Sequence, residues 1–388
     1  MSPATRLLVA GCLAMVVAMG IGRFYYTPML PLMQREYGFD AAVAGLIASA
    51  NFGGYLVGSI AASMLAPGVT RLWVFRLALI GSVATTAAMG LTDSTPMWIA
   101  LRTLSGIASA LAMIAGAGMV AEALAKIEEP GRIGWYFGGV GLGILVSGML
   151  AQFAGGGLSA AQMWLLAGGI GVLLLPFIFR ELIERELEPR PHRASAGRRR
   201  PRPLRLWPLF VNYTCEGLGY SVFATFIVAI VKARPQTEAI GDWVWVVVGL
   251  AGLPSTVLWT ALAERFGFAV SLILAYVVQI AGVLLPAASG SGLAALAAAV
   301  MFGGTFLSIT ALTLPLGRHG AGGRGFAVLT AGFGAGQMLG PVIAGYMVTL
   351  GYGFRAALYG SAAVLAFGLA VLIYGVVTRT EAPGAVAT

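Results

Sequence analysis

The chain has 388 residues, 59% of them hydrophobic and only 10% charged, whereas a soluble domain carries about 25% charged residues because its surface faces water. That balance excludes a soluble globular domain. Its 55 glycines follow no strict period in a strongly apolar chain, which excludes collagen-like and disordered classes. The net charge of +9 would suit an acidic partner, but the basic residues are placed as a membrane topology places them.

A helix needs about 20 apolar residues to cross the hydrocarbon, and charge-free runs of that length recur along the chain. The first follows Met1–Arg6 and continues past Gly22 and through Pro28 and Pro31 without a small-residue cleavage site. It reads as a transmembrane helix over 7–34 and not as a signal peptide. It contains Gly20-Ile21-Gly22-Arg23, followed by Phe24, Tyr25 and Tyr26. Arg23 falls about 24 Å along this helix at the standard rise, in the outer half of the membrane, with rings beside it that can stack on a cation.

Further helices are expected over 41–66, 72–92, 96–124, 132–155 and 160–181. The second pairs Asn51 with Tyr55 at i, i+4. The fourth sets Arg102, Ser105, Ser109 and Met113 on one face and ends with Glu122, expected at the interface near Lys126. The fifth carries Gly139, Gly141 and Gly143, and Gly155-Gly156-Gly157 separates it from the sixth. A polar, Arg-rich segment over 184–205 follows, with Arg198-Arg199-Arg200 at its centre. Such a run could meet RNA or anionic lipid, but a cytoplasmic linker that fixes topology is the simpler reading.

The second set of helices is expected over 206–231, 243–263, 267–287, 292–317, 325–349 and 354–378. The seventh carries Asn212, Glu216, Tyr220 and Phe223 along one stripe. Ser289-Gly290-Ser291-Gly292 breaks the ninth from the tenth, where Thr305 and Ser308 sit. The eleventh presents Thr330, Phe333, Gln337 and Pro341, and contains Gly332, Gly334 and Gly336.

Twelve spans put both termini on one side of the membrane. Of 24 Lys and Arg, 18 fall on the loops and helix ends of that side, against Arg35, Lys232, Arg234 and Arg355 on the other. By the positive-inside rule both termini are cytoplasmic. All eight Trp lie near expected span ends, as an aromatic belt requires. Cys12 and Cys215 lie inside apolar runs and read as small buried hydrophobes, not as a metal or disulfide pair.

The two halves repeat at matching places. Gly20-Ile21-Gly22-Arg23 answers to Gly217-Leu218-Gly219-Tyr220, and the three spaced glycines of helix five answer to those of helix eleven. Parallel six-helix repeats are the plan of the major facilitator superfamily. Arg102-x-x-x-Gly106 resembles that superfamily's intramembrane arginine motif. Thr260-x-x-x-Glu264-Arg265-Phe266-Gly267 resembles its loop motif, whose first-half counterpart, Gly58 to Arg71, lacks the acidic residue.

A closer resemblance is to the YbfB/YjiJ-type branch of bacterial facilitators. It is carried by Gly22-Arg23-Phe24-Tyr25-Tyr26-Thr27-Pro28, Arg102-x-x-Ser105-Gly106, Cys215-Glu216-Gly217-x-Gly219-Tyr220, Gly303-Gly304-Thr305-Phe306 and Gly336-Gln337-x-x-Gly340-Pro341. The resemblance implies transport by rocking halves and ties Arg102 to helix packing and proton relay. It supplies no substrate.

The expected fold is an all-α membrane protein of twelve transmembrane helices in two pseudo-symmetric six-helix bundles, 1–183 and 206–388, joined by the linker. Charges inside a bilayer are costly and mark function. Arg23 can grip an anionic group through paired hydrogen bonds or brace two helices. A buried Glu216 can take and release a proton, or can bond statically to Arg23. Substrate contacts are expected from Arg23, Tyr26, Asn51, Tyr55, Glu216, Tyr220 and Gln337, and proton coupling from Glu216 and Arg102.

No Walker loop, His–Glu metal spacing or strand-borne Gly-x-Gly is present, so neither an ATP-driven pump nor an enzyme is expected, and no cofactor, metal or nucleic acid. The reading is a monomeric secondary transporter of the bacterial inner membrane, with protons and lipids as partners, that moves a small organic anion or zwitterion. Two alternatives stand beside it. One is proton-driven efflux of apolar or cationic compounds, which an aromatic and Met-rich lining allows. The other is a non-transporting receptor or assembly factor that uses the basic linker.

Overall fold

The computed structural model describes residues 3–65, 69–182 and 204–378. Among these, every regular element is helical, and twelve helices are long and apolar enough to span a membrane. They are α1 (Ala4–Tyr37), α2 (Ala41–Ser63), α3 (Thr70–Leu91), α4 (Thr95–Lys126), α5 (Ile133–Ala154) and α6 (Ala160–Glu181), then α7 (Leu206–Lys232), α8 (Glu238–Phe266), α9 (Phe268–Ala288), α10 (Gly292–Gly317), α11 (Arg324–Thr349) and α12 (Gly353–Val377). Most of the expected linker lies outside the described residues.

The expected breaks are where polar caps can form. Ser159 and Gln162 make a reciprocal capping box at the start of α6. Ser291 accepts from the Ala294 N–H at the start of α10. Between α10 and α11 the helical backbone geometry persists from Phe306 to Thr349, yet Gly317 packs against Leu329. A straight helix would hold residues twelve apart at about 18 Å, so α11 folds back beside α10.

The spaced glycines show why the two halves look alike. Gly139 and Gly143 of α5 face Cys12 and Gly20 of α1, while Gly141 between them faces Gly252 and Leu253 of α8. In α11, Gly332 and Gly336 face Thr214 of α7, while Gly334 between them faces Leu56 of α2. The outer glycines thus seat each helix in its own bundle, and the middle one touches the opposite bundle. Alternate faces follow from two-residue spacing on a helix, and close approach needs residues without a side chain.

The aromatic belt is only partly realised. Trp73, Trp135 and Trp207 are exposed at span ends, but Trp98, Trp164 and Trp245 are buried inside the bundles. The indole of Trp98 donates to the carbonyls of Met89 and Thr92, and that of Trp245 to Ser147 Oγ across the bundles. Proximity to a span end did not separate a lipid-facing ring from a packing one.

Glu122 sits half-exposed near Lys126, as expected, but its hydrogen bonds go elsewhere. Glu122 takes both terminal nitrogens of Arg71, at 2.7 and 2.5 Å, and so ties the start of α3 to the end of α4. The first-half loop motif lacks its acidic residue, and here α4 supplies a carboxylate to its arginine.

Candidate functional site

The site begins with a defect in α1. Val16–Phe24 winds as a π-helix before regular α-helix resumes at Tyr26. In that winding the Arg23 carbonyl would accept from the N–H five residues on, but that residue is Pro28, which has none. Arg102 fills the gap. Its Nη2 donates to the Arg23 carbonyl at 2.7 Å and its Nη1 to the Gly22 carbonyl at 2.8 Å. Ser105 Oγ also donates to Gly22, at 2.6 Å. Arg102 is 3% exposed, so it does not snorkel toward the membrane surface from its place near the end of α4. Tyr26 and Asn51 complete this layer. The Tyr26 ring lies under the Arg102 guanidinium and its hydroxyl donates to the Ala44 carbonyl, while Asn51 Nδ2 donates to the Arg102 carbonyl.

The brace holds Arg23 at the junction of the two bundles, 4% exposed. Its Nη2 donates to Gln337 Oε1 of α11 at 2.6 Å. Its guanidinium stands 3.8 Å over the Tyr55 ring, 5.0 Å over Phe52 and 5.4 Å over Phe24. No carboxylate lies within ion-pair distance of Arg23 among the described residues. Its Nε, the Nε of Arg102 and Asn51 Oδ1 are all buried without a hydrogen-bond partner. The three residues line one narrow cleft with room for about one water molecule, together with Phe24, Tyr26, Thr27, Ala48, Phe52, Ala224 and Thr225.

On the other side of Arg23 is a stack of rings. Tyr220 lies nearly parallel to Phe333, Phe302 and Phe306, with centroids 5.5, 6.3 and 6.2 Å away. Phe306 meets Phe24 edge-on at 6.2 Å, and Phe52 meets Tyr220 at 6.4 Å. Phe24 and Phe333 stood out by sequence, the one beside Arg23 and the other in its stripe, but Phe52, Phe302 and Phe306 were not singled out as site residues, because isolated rings in apolar helices look like ordinary core.

Glu216 is fully buried but belongs to a separate cluster behind α7. Its Oε1 accepts from Gln279 Nε2 of α9 at 2.7 Å, and Gln279 Oε1 accepts from Thr305 Oγ1 of α10 at 3.1 Å. Glu216 Oε2 has no hydrogen-bond partner, and Asn212 has none for either side-chain polar atom. Arg23 and Glu216 form no ion pair. The expected stripe therefore splits: Asn212 and Glu216 serve the polar cluster, and Tyr220, one turn on, serves the ring stack. Gln279 was missed, although a lone amide in the apolar run 268–288 was the available signal.

The two bundles are joined by further bonds, one beside the cleft and the others at the α1–α2 turn. Thr27 Oγ1 donates to the Ala224 carbonyl at 2.6 Å. Asp40 accepts from Thr349 Oγ1 at 3.1 Å, and Thr349 Oγ1 accepts from the Ala42 N–H at 3.1 Å.

A family profile described as "Uncharacterised MFS-type transporter YbfB" matches residues 15–373. No curated protein matches the chain. Among solved structures, a variant of the nucleoside transporter NupG superposes with a TM-score of 0.70 at 14% identity, covering 95% of this chain and 99% of its own. A bacterial homologue of the human lysosomal transporter Spinster superposes in two inward-facing states. The unoccupied state gives a TM-score of 0.69 and the occupied state 0.71, each at 15% identity and covering 99% of this chain and 100% of that one. At these identities the likeness is one of fold.

Proposed function

The chain belongs to the YbfB-type family of MFS transporters, and from that premise we propose that it carries a small organic anion by alternating access, coupled to protons. It is thus a multi-pass membrane transporter and not an enzyme. One observation carries the choice of cargo. Arg23 is a buried cation between the bundles whose hydrogen-bonding side-chain partner is a neutral amide, Gln337. A charge held in hydrocarbon without a counter-charge is costly, and an anionic substrate would remove that cost. The free Nε groups of Arg23 and Arg102 lie on residues lining the same cleft, which suits a carboxylate.

The residues lining the cleft include no carboxylate. An ammonium group would meet two guanidiniums and no counter-charge, so the anion is favoured over the zwitterion and over cationic efflux substrates. Phe24, Tyr26 and Phe52 suit an apolar body attached to the anionic group.

In this reading the substrate competes with Gln337 for Arg23. Gln337 sits on α11, so exchanging the amide for an anion breaks one of the bonds that join the bundles, and binding is linked to rocking. Asn51, Tyr26, Tyr55 and Tyr220 shape the site. Arg102 acts through the α1 backbone, and Glu216 takes and releases the coupled proton. The basic asymmetry of the loops supports cytoplasmic termini and residence in the inner membrane.

The test is thermal stabilisation of purified protein by a panel of small aromatic and aliphatic carboxylates, amino acids and alkylammonium ions, because a ligand that binds the folded state stabilises it. Stabilisation by carboxylates that disappears in Arg23→Ala is expected. A response to alkylammonium ions alone would overturn the proposal, as would an unchanged carboxylate response in Arg23→Ala.

A further inference from the structure

The polar cluster behind α7 contains a hydrogen-bond ambiguity that the protonation of Glu216 resolves. Thr305 Oγ1 stands 3.1 Å from Gln279 Oε1, 2.7 Å from the Met301 carbonyl and 3.2 Å from the Phe302 carbonyl. A hydroxyl has one proton and can serve only one of the three at a time. The Gln279 amide is equally constrained, since one end donates and the other accepts.

With Glu216 ionised, Gln279 must turn its NH2 to the carboxylate and its oxygen to Thr305. The Thr305 proton then goes to Gln279, and the Met301 carbonyl is left bare. With Glu216 protonated on Oε1, the oxygen that faces Gln279, that oxygen becomes a donor. Gln279 turns its oxygen to Glu216 and its NH2 to Thr305, and the Thr305 proton is released to Met301.

The Met301 carbonyl lies where α10 is interrupted. The helix runs Gly292–Gly303 and resumes at Phe306. The Thr305 N–H, which would bond Met301 in an unbroken helix, bonds Phe302 instead, at 3.1 Å. The Thr305 hydroxyl is therefore the group that can satisfy Met301 and close the hinge. Phe302 and Phe306 flank this hinge and belong to the ring stack beside Arg23.

We propose that Gln279 and Thr305 are positioning residues that relay protonation of Glu216 to the hinge of α10, tightening it when Glu216 is neutral and loosening it when Glu216 is charged. The proposal rests on the reading of Glu216 as the coupling carboxyl. The titratable groups facing Glu216 are Tyr276 from α9 and Tyr213, Cys215 and Tyr220 from its own helix. From α1 the charged group is Arg23, which forms no ion pair with Glu216. The proton comes from and returns to solvent, and no covalent bond other than O–H is made or broken.

The hinge has its own reporter, because Trp259 of α8 donates to the Gly304 carbonyl at 2.7 Å. In full-length protein labelled with 5-fluorotryptophan, the Trp259 fluorine resonance, assigned with Trp259→Phe, is followed by NMR from about pH 5 to about pH 9, a range that covers a buried carboxyl. The wild type is expected to show a titration that is lost in Glu216→Gln, in Thr305→Val, which keeps the side-chain shape, and in Gln279→Leu. Thr305→Ser should restore it.

A titration in Thr305→Val or Gln279→Leu equal to the wild type would overturn the relay while leaving Glu216 as the coupling group. A titration that survives in Glu216→Gln would overturn the coupling reading and the relay with it. A wild-type resonance that does not move with pH would overturn the relay outright.

Discussion

Arg102→Lys separates two roles that the sequence left open for this arginine. The guanidinium bonds two carbonyls at once, Gly22 at 2.8 Å and Arg23 at 2.7 Å. An ammonium keeps the charge but lacks the planar fork, so one carbonyl loses its donor. The Gly22 carbonyl retains Ser105 at 2.6 Å, whereas the Arg23 carbonyl cannot turn to the N–H that Pro28 lacks. Losing one charge-assisted bond at a buried carbonyl costs about 1.5–3 kcal/mol. Ser105→Ala loses one neutral bond, at about 1 kcal/mol. The assay is reversible unfolding of the purified protein by SDS in mixed micelles. Arg102→Lys should lose more stability than Ser105→Ala and should do so with no substrate present. If Arg102→Lys unfolds within about 0.5 kcal/mol of the wild type but fails to transport, Arg102 acts in coupling chemistry and the brace is wrong.

Three further outcomes follow from the same geometry. Gly249 of α8 lies against the Leu145 backbone of α5, where a Cβ would collide; Gly249→Val should abolish transport in proteoliposomes while protein still reaches the membrane, and normal uptake would refute close α5–α8 contact. Thr349→Val removes the hydroxyl that bonds both Asp40 and the Ala42 N–H. Losing these two partly exposed bonds, worth about 1 kcal/mol together, should shift the conformational balance roughly 5-fold toward opening at the α1–α2 turn; labelling of a cysteine placed there reads the shift, and unchanged labelling refutes the latch. Glu122→Ala should cost only about 0.5–1 kcal/mol, because Glu122 is 53% exposed and water reaches its end of the pair even though Arg71 is buried; a larger loss in the SDS assay would show that the α3–α4 tie is more than a surface bridge.

Span count and the positions of the helix breaks were legible because lipid imposes a length and a composition on every span. The repeat was legible too: the glycines at 139, 141 and 143 match those at 332, 334 and 336 because both sets seat a helix between two neighbours. The site was legible only through its charges. Arg23, Arg102 and Glu216 stood out because buried charge is rare, and Gln337 because it is polar and lies in an apolar run. What sequence could not give was partnership. Nothing local says that Arg23 bonds an amide 314 positions away, or that Glu216 turns to α9 and not toward Arg23. The π-helical turn is also invisible in a hydropathy trace, although Pro28 is its signature in hindsight. Rings such as Phe302 and Phe306 carry no mark that separates a stack beside a cation from ordinary core.

The claim at the centre of the account is that Arg23 holds the anionic group of the cargo, and it is tested most directly by measuring the affinity of the best-stabilising small carboxylate for wild-type protein and for Arg23→Met. Methionine keeps an unbranched apolar chain and removes the charge. One charge-assisted hydrogen bond is worth about 1.5–3 kcal/mol, so affinity should fall about 10- to 150-fold while the unliganded protein remains folded. Binding by Arg23→Met within about twofold of the wild type, a difference well under 1 kcal/mol, would contradict the account.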